Sequence, residues 1–142
     1  MWLSEGLSVR LLAISGQPVW YENGEESGIP FHYRPDGADI FAETRQWNRG
    51  GYIYVSNSEI RDGGVFAITF NANGDVIDYQ HLLRSSWNCN GGRTPWGTWL
   101  SAEEDFDYHK GQVYQVDPTG EREPAVITMG NTGGVWEGEI VL

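Results

Sequence analysis

Glu59, the adjacent pair Glu103 and Glu104, and Glu137 each follow a short apolar run, and Cys89 and Arg93 lie just ahead of the pair. Carboxylates that meet at one point repel one another unless a cation sits between them. Oxygen-rich sets suit Ca²⁺ or Mg²⁺, and an added thiolate suits a transition metal. Taken singly, each carboxylate reads as a solvated strand end, and it is the recurrence of the same place that argues for a set. Arg93 could grip an oxyanion through its planar fork, or it could be a surface ion-pair partner in an acidic chain. Cys89 is the only cysteine, so it makes no intramolecular disulfide. It reads as a metal ligand, a nucleophile or a small buried hydrophobe.

The elements that must position these groups read as strands. Apolar runs are short, rich in β-branched and aromatic residues, and bounded by Gly, Asn, Asp or Pro. Strands are expected near Val9–Ile14, Tyr52–Asn57, Val65–Phe70, Val76–Gln80, Thr98–Ala102, Gln112–Val116, Ala125–Met129 and Val135–Val141. Asn71-Ala72-Asn73-Gly74 and Asp117-Pro118-Thr119-Gly120 end in glycines suited to positive φ and predict hairpin turns. Residues 22–49, polar and broken by Gly24, Gly28, Pro30, Pro35 and Gly37, read as a long loop.

An internal repeat organises these strands. Tyr54–Glu59, Gly63–Ile68 and Gly74 align with Trp99–Glu104, Gly111–Val116 and Gly120, at offsets of 45, 48 and 46 residues. That falls within the range of about 40–50 residues per propeller blade. A third copy begins at Gly134-Val135-Trp136-Glu137. The expected fold is all-β: a partial β-propeller domain over residues 1–142, with blade units near 50–83 and 96–130 and partial strands at both ends. That amounts to about two to three blades of a six-bladed propeller, an incomplete ring. Two blades alone would expose apolar faces and strand edges, so the remaining blades or self-association are expected to cover them.

Composition narrows the partners. The 142 residues carry 20 acidic and 9 basic side chains, a formal charge of −11, and Lys110 is the only lysine. Attraction to nucleic acid or to anionic lipid is excluded as a principal activity, and metal ions are the favoured partners. No run approaches the roughly 18 apolar residues of a membrane helix. The first residues lack a basic and an apolar region, so no secretory signal is read there. His32, His81 and His109 are scattered, and His81 reads as structural. Asp105 and Asp107 follow the Glu pair without the spacing of an EF-hand loop.

The run Asn88-Cys89-Asn90-Gly91-Gly92-Arg93-Thr94-Pro95-Trp96-Gly97-Thr98-Trp99-Leu100-Ser101-Ala102-Glu103-Glu104 resembles the signature of the PhoX-type alkaline phosphatase family. Pro35-Asp36-Gly37, Tyr54–Glu59, Gly63-Gly64-Val65, Gly111–Pro118 and Trp136-Glu137-Gly138 resemble its flanking segments. Only the amino-proximal part of such a protein is matched. Ser58 stands where the family often has histidine, and Ala102 where it often has cysteine. The resemblance implies a phosphomonoesterase acting on small phosphate esters at a centre of iron (Fe³⁺) and calcium in the propeller channel. It also implies a periplasmic or extracellular site, although a cytoplasmic one stays open in this sequence. Carried over residue by residue, Cys89 matches an iron ligand and Glu104 a carboxylate of the centre. Glu59 and Glu137 fall where further metal carboxylates are expected, Glu103 is a candidate beside them, and Arg93 is a candidate phosphate contact.

Alone, these residues are expected to turn over little substrate, since ligands from later blades are missing. Two other readings stand beside this one. A calcium-dependent lactonase or esterase propeller would use Asn57 with Glu59 and Glu104, and a non-catalytic module would use its blade faces to bind a partner.

Overall fold

The computed structural model describes residues 2–106, 110–127 and 133–136. Among the described residues the chain is all-β apart from one short 3₁₀ turn, η1, at Gln46–Asn48. A small hairpin, β1 (Pro18–Trp20) and β2 (Glu26–Pro30), precedes two four-stranded antiparallel sheets. The first has the order β3 (Pro35–Ala42), β4 (Tyr52–Ser58), β5 (Gly64–Phe70), β6 (Val76–Arg84). The second has the order β7 (Asn88–Arg93), β8 (Trp99–Glu103), β9 (Val113–Val116), β10 (Ala125–Val126). Each is a meander whose spatial order is its chain order, and neither closes into a barrel, as expected of successive propeller blades. The chain then returns at Gly134–Val135, which bridge to Gly111 and Glu104.

Alternation along the strands builds two cores on the two faces of the first sheet. Phe41, Ile53, Val55, Val65, Ala67 and Leu83 face the second sheet and pack on its Trp99 and Val116. Phe66, Ile68, Phe70, Val76 and Tyr79 point the other way and pack with Val19 of the β1–β2 hairpin. Because both faces are covered, all seven residues of β5 are buried. Each fully buried Ile or Val stabilises by roughly 1.5–3 kcal/mol, so the junction between the sheets is built chiefly by the side chains of one face.

Both sequence-read turns form. Gly74 N–H donates to Asn71 O at 3.0 Å with φ +82°, and Gly120 N–H donates to Asp117 O at 3.0 Å with φ +72°. The expected strands at Tyr52–Asn57, Val65–Phe70, Val76–Gln80, Thr98–Ala102 and Gln112–Val116 correspond to β4, β5, β6, β8 and β9.

The structure corrects three other readings. Residues 22–49 are not one long loop, for they hold β2, β3 and η1. Their polar, glycine- and proline-bearing composition belongs to an edge strand: Pro35 opens β3, where a missing N–H is tolerated, and Gly37 lies directly against the next sheet. Each sheet therefore starts one strand earlier than the repeat suggests, with β3 and β7 as neighbouring first strands. Val9–Ile14 forms no strand, because no ladder partner lies beside it among the described residues. Arg10 within it donates to Gly74 O and pairs with Asp75 at 3.6 Å. At the carboxyl side β10 covers Ala125–Val126 and Val135 bridges Glu104; residues 128–129 of the expected Ala125–Met129 strand and 137–141 of the expected Val135–Val141 strand lie outside the described residues.

Candidate metal and phosphate site

The candidate site lies where the first strands of the two sheets run side by side. Gly37 makes their close approach possible: a Cβ there would sit 2.9 Å from the Cα of Asn90. Residue 36 on β3 and residue 89 on β7 thus face one another, and the Cys89 thiol donates to Asp36 Oδ2 at 3.8 Å. A register shift between Asn88 and Gly91 places Cys89 and Asn90 in a β-bulge. Bulges re-aim side chains and leave backbone groups without ladder partners.

Asn57, fully buried at the end of β4, meets that bulge. Its Nδ2 donates to Cys89 O at 2.9 Å and to Asn90 O at 2.8 Å. Its Oδ1 accepts from Trp99 Nε1 and Ser101 Oγ, both at 2.9 Å. The carboxamide is fully committed, so the calcium centre that would use Asn57 as a ligand finds its oxygen already spent.

The two repeat glutamates are set by one backbone device. Arg34, with φ +44°, precedes β3 and accepts from the N–H of Glu59 at 3.1 Å. Trp87, with φ +55°, precedes β7 and accepts from the N–H of Glu104 at 2.8 Å. Glu59 and Glu104 therefore occupy equivalent places at the same end of the sheets as Cys89. Their charges reach the thiol: burial first, then Asp36, Glu104 and Glu59, push the Cys89 pKa up to about 11.

The remaining candidates divide. Glu103 is held in the scaffold, its Oε1 accepting from Ser86 N–H at 3.0 Å and its Oε2 from Gln112 N–H at 2.9 Å. Glu59 Oε2 is paired with Arg34 at 3.0 Å. Arg93 lies four residues along β7 from Cys89, roughly 13 Å by strand rise. There its guanidinium grips Asp39 at 2.9 Å and 3.1 Å and lies 4.7 Å from the centre of the Phe41 ring. It lines a groove of about 690 Å³ at the opposite end of the sheets. The structure does not bring Arg93 to the thiol. Glu137, Asp107 and His109 lie outside the described residues.

His32 and His81 stand apart from Cys89. They flank Phe66 in one ring stack, with centroid distances of 4.6 Å and 3.9 Å. The buried His32 ring contacts Tyr79 Oη and Ser56 Oγ, each at 3.1 Å. Burial, then the charge of His81, lowers its pKa to about 4.

The donor types at the Cys89 end suit a cation: a thiol in contact with one carboxylate, Asp36, with the charges of Glu104 and Glu59 bearing on it. The number does not yet fit. Among the described residues no three His, Cys, Asp or Glu side chains are grouped so as to hold one ion. Asp36 is the participant that the sequence reading missed as a site residue. The signal is present in Pro35-Asp36-Gly37, which resembles a family segment, but a polar stretch bearing Gly and Pro carries no sign of a strand beside Cys89.

A family model described as alkaline phosphatase PhoX matches residues 69–134, the end of β5 through the return at Gly134. Cys89, Glu103 and Glu104 lie inside that segment, while Asp36, Asn57 and Glu59 lie before it. Comparisons with curated proteins and with solved structures gave no match. No helix among the described residues is long and apolar enough to cross a membrane.

Proposed function

With residues 69–134 carrying the pattern of the PhoX alkaline phosphatases, we propose that this chain supplies part of a metal-dependent phosphomonoesterase site. One observation carries the reading: inside the matched segment the Cys89 thiol turns to Asp36, and the charges of Glu104 and Glu59 bear on it. Cys89 would hold iron, and Asp36 and Glu104 would hold iron or calcium, joined by Glu59 once it leaves Arg34. Such ions, when bound, supply positive charge at the phosphoryl oxygens and acidify water.

What the chain itself does is hold these donors. The Arg34 and Trp87 carbonyls fix the two glutamate backbones, and Glu103 ties β8 to Ser86 and Gln112. The substrate is a small phosphate ester, and the family likeness favours action outside the cytoplasm. Further ligands come from outside the two sheets, through remaining blades or through self-association, so the two sheets alone turn over little substrate.

The test is metal content and hydrolysis of a generic phosphomonoester, with and without added iron and calcium, for the chain and for Cys89→Ser and Glu104→Gln. Iron and calcium retained by the chain and lost in the variants support the proposal. Robust hydrolysis by the metal-free chain would sink it. Calcium alone, with hydrolysis of a carboxylic ester, would point to the lactonase reading. Tight oligomers that retain no metal would point to an assembly module.

A further inference from the structure

The β-bulge of β7 poses a problem that the fold solves from the other sheet. Where the register slips between Asn88 and Gly91, the carbonyls of Cys89 and Asn90 fall out of the β8 ladder. A buried carbonyl without a donor is costly, and a bulge free to re-pair would carry its side chains to new directions. Both carbonyls are capped by the one carboxamide of Asn57, at 2.9 Å and 2.8 Å, acting as a surrogate strand edge. The carboxamide cannot turn over, because Trp99 and Ser101 both donate to its oxygen. With no exposed surface, it is held from every side.

We infer that Asn57 is the positioning residue of the Cys89 thiol: it locks the bulge of β7 from the neighbouring sheet and fixes the thiol against Asp36. The Asn57 amide holds the thiol through the carbonyls of residues 89 and 90, while its backbone lies opposite Asp36-Gly37 in the β3–β4 register. In functional terms this rests on the proposed metal site. It makes the donor set preformed across two sheets, one contributing Asp36 and Asn57 and the other Cys89. A change in how the sheets pack is then felt at the thiol.

The experiment compares Asn57→Ser with Ile68→Val, reading the rate at which iodoacetamide modifies Cys89 at fixed pH, together with a denaturant melt of each. Ile68→Val trims a core side chain on the opposite face of the first sheet, away from the bulge, and so controls for loss of stability. The expected result is modification about tenfold faster in Asn57→Ser, the scale that loss of two neutral hydrogen bonds allows, and within about twofold of wild type in Ile68→Val. Equal rates in the two variants, or no change in either, would overturn the inference. Should Asn57→Ser not fold, hydrogen exchange of the Asn57 side-chain amide in the wild-type chain decides. Protection like that of the β4 backbone supports the lock, and exchange at the rate of a surface asparagine overturns it. Neither readout involves metal or phosphoester, so this inference and the phosphatase reading fail separately.

Discussion

The N–H of Glu104 donates to the carbonyl of Trp87 at 2.8 Å, and that one bond ties the end of β8 to the residue that launches β7. Glu59 and Arg34 repeat it at 3.1 Å in the first sheet. In both, the carbonyl belongs to a non-glycine residue in the left-handed region, at +55° and +44°. Such a conformation costs of order 1–3 kcal/mol and persists where its surroundings over-determine it. The device delivers two glutamates to one end of adjacent sheets, and it frames what substitutions there should do.

Arg34→Asn tests whether Glu59 is held in reserve. Asparagine tolerates positive φ, so the backbone device survives, while the guanidinium leaves Glu59 Oε2. An exposed pair of this kind contributes about 0–1 kcal/mol. The expected outcome is a nearly unchanged melting temperature and tighter Ca²⁺ binding by titration calorimetry. Unchanged Ca²⁺ affinity would remove Glu59 from the proposed site.

Asp36→Asn tests the electrostatics of the thiol. Burial is the largest contribution holding the Cys89 pKa up at about 11, and the Asp36 charge is the next. Neutralising Asp36 should lower that pKa, so the alkylation-against-pH curve shifts toward lower pH. A curve that does not move would separate the two groups.

Gly37→Ala should pry the sheets apart. Its Cβ would lie 2.9 Å from the Asn90 Cα, a backbone atom that cannot swing aside. Overpacking of this sort costs about 1–3 kcal/mol, to be read as a lower denaturant midpoint. The same variant should speed Cys89 modification, because it displaces the bulge that carries the thiol.

Stability should fall in acid in two stages. His32 titrates at about 4 rather than the usual 6.5 because burial, then His81, disfavours its charge. The unfolded chain therefore binds a proton first, and stability present above pH 6.5 is lost as the pH falls toward 4. Glu43 follows. Burial pushes its pKa up, but bonds from Arg45 and Asn48, with the Arg45 charge, outweigh that and hold it at about 2. Its contribution is complete above 4.5 and disappears as the pH drops toward 2. Denaturant midpoints across this range should show both slopes, and Glu43→Gln should flatten only the lower one. A His32 ring titrating near 6.5 by NMR would contradict the first stage.

Much of the first sheet was legible because β4, β5 and β6 each carry a local signal. The Ile53/Val55 alternation, the continuous run of β5 and the Gly74 turn depend only on neighbours in the chain. The repeat likewise showed that Glu59 and Glu104 are equivalent. Two first strands escaped notice for a shared physical reason. β3 and β7 are the first strands of their sheets, and where they approach each other, at Asp36-Gly37 and Cys89-Asn90-Gly91, small and polar residues interrupt the apolar alternation, while Phe41 farther along β3 goes into the core. Composition reads such strands as loop.

By itself the sequence determined the all-β class, the repeat, both hairpin turns and the family pattern around Cys89. These follow from residue types at fixed separations along one chain. Tertiary structure alone decided that Asp36 faces Cys89 across 53 residues, that the Asn57 carboxamide meets the carbonyls of Cys89 and Asn90, and that Arg93 grips Asp39 farther along β7. Those outcomes depend on the register between two sheets and on one bulge, and a carboxamide or carboxylate carries no sign in sequence of which neighbour it will meet.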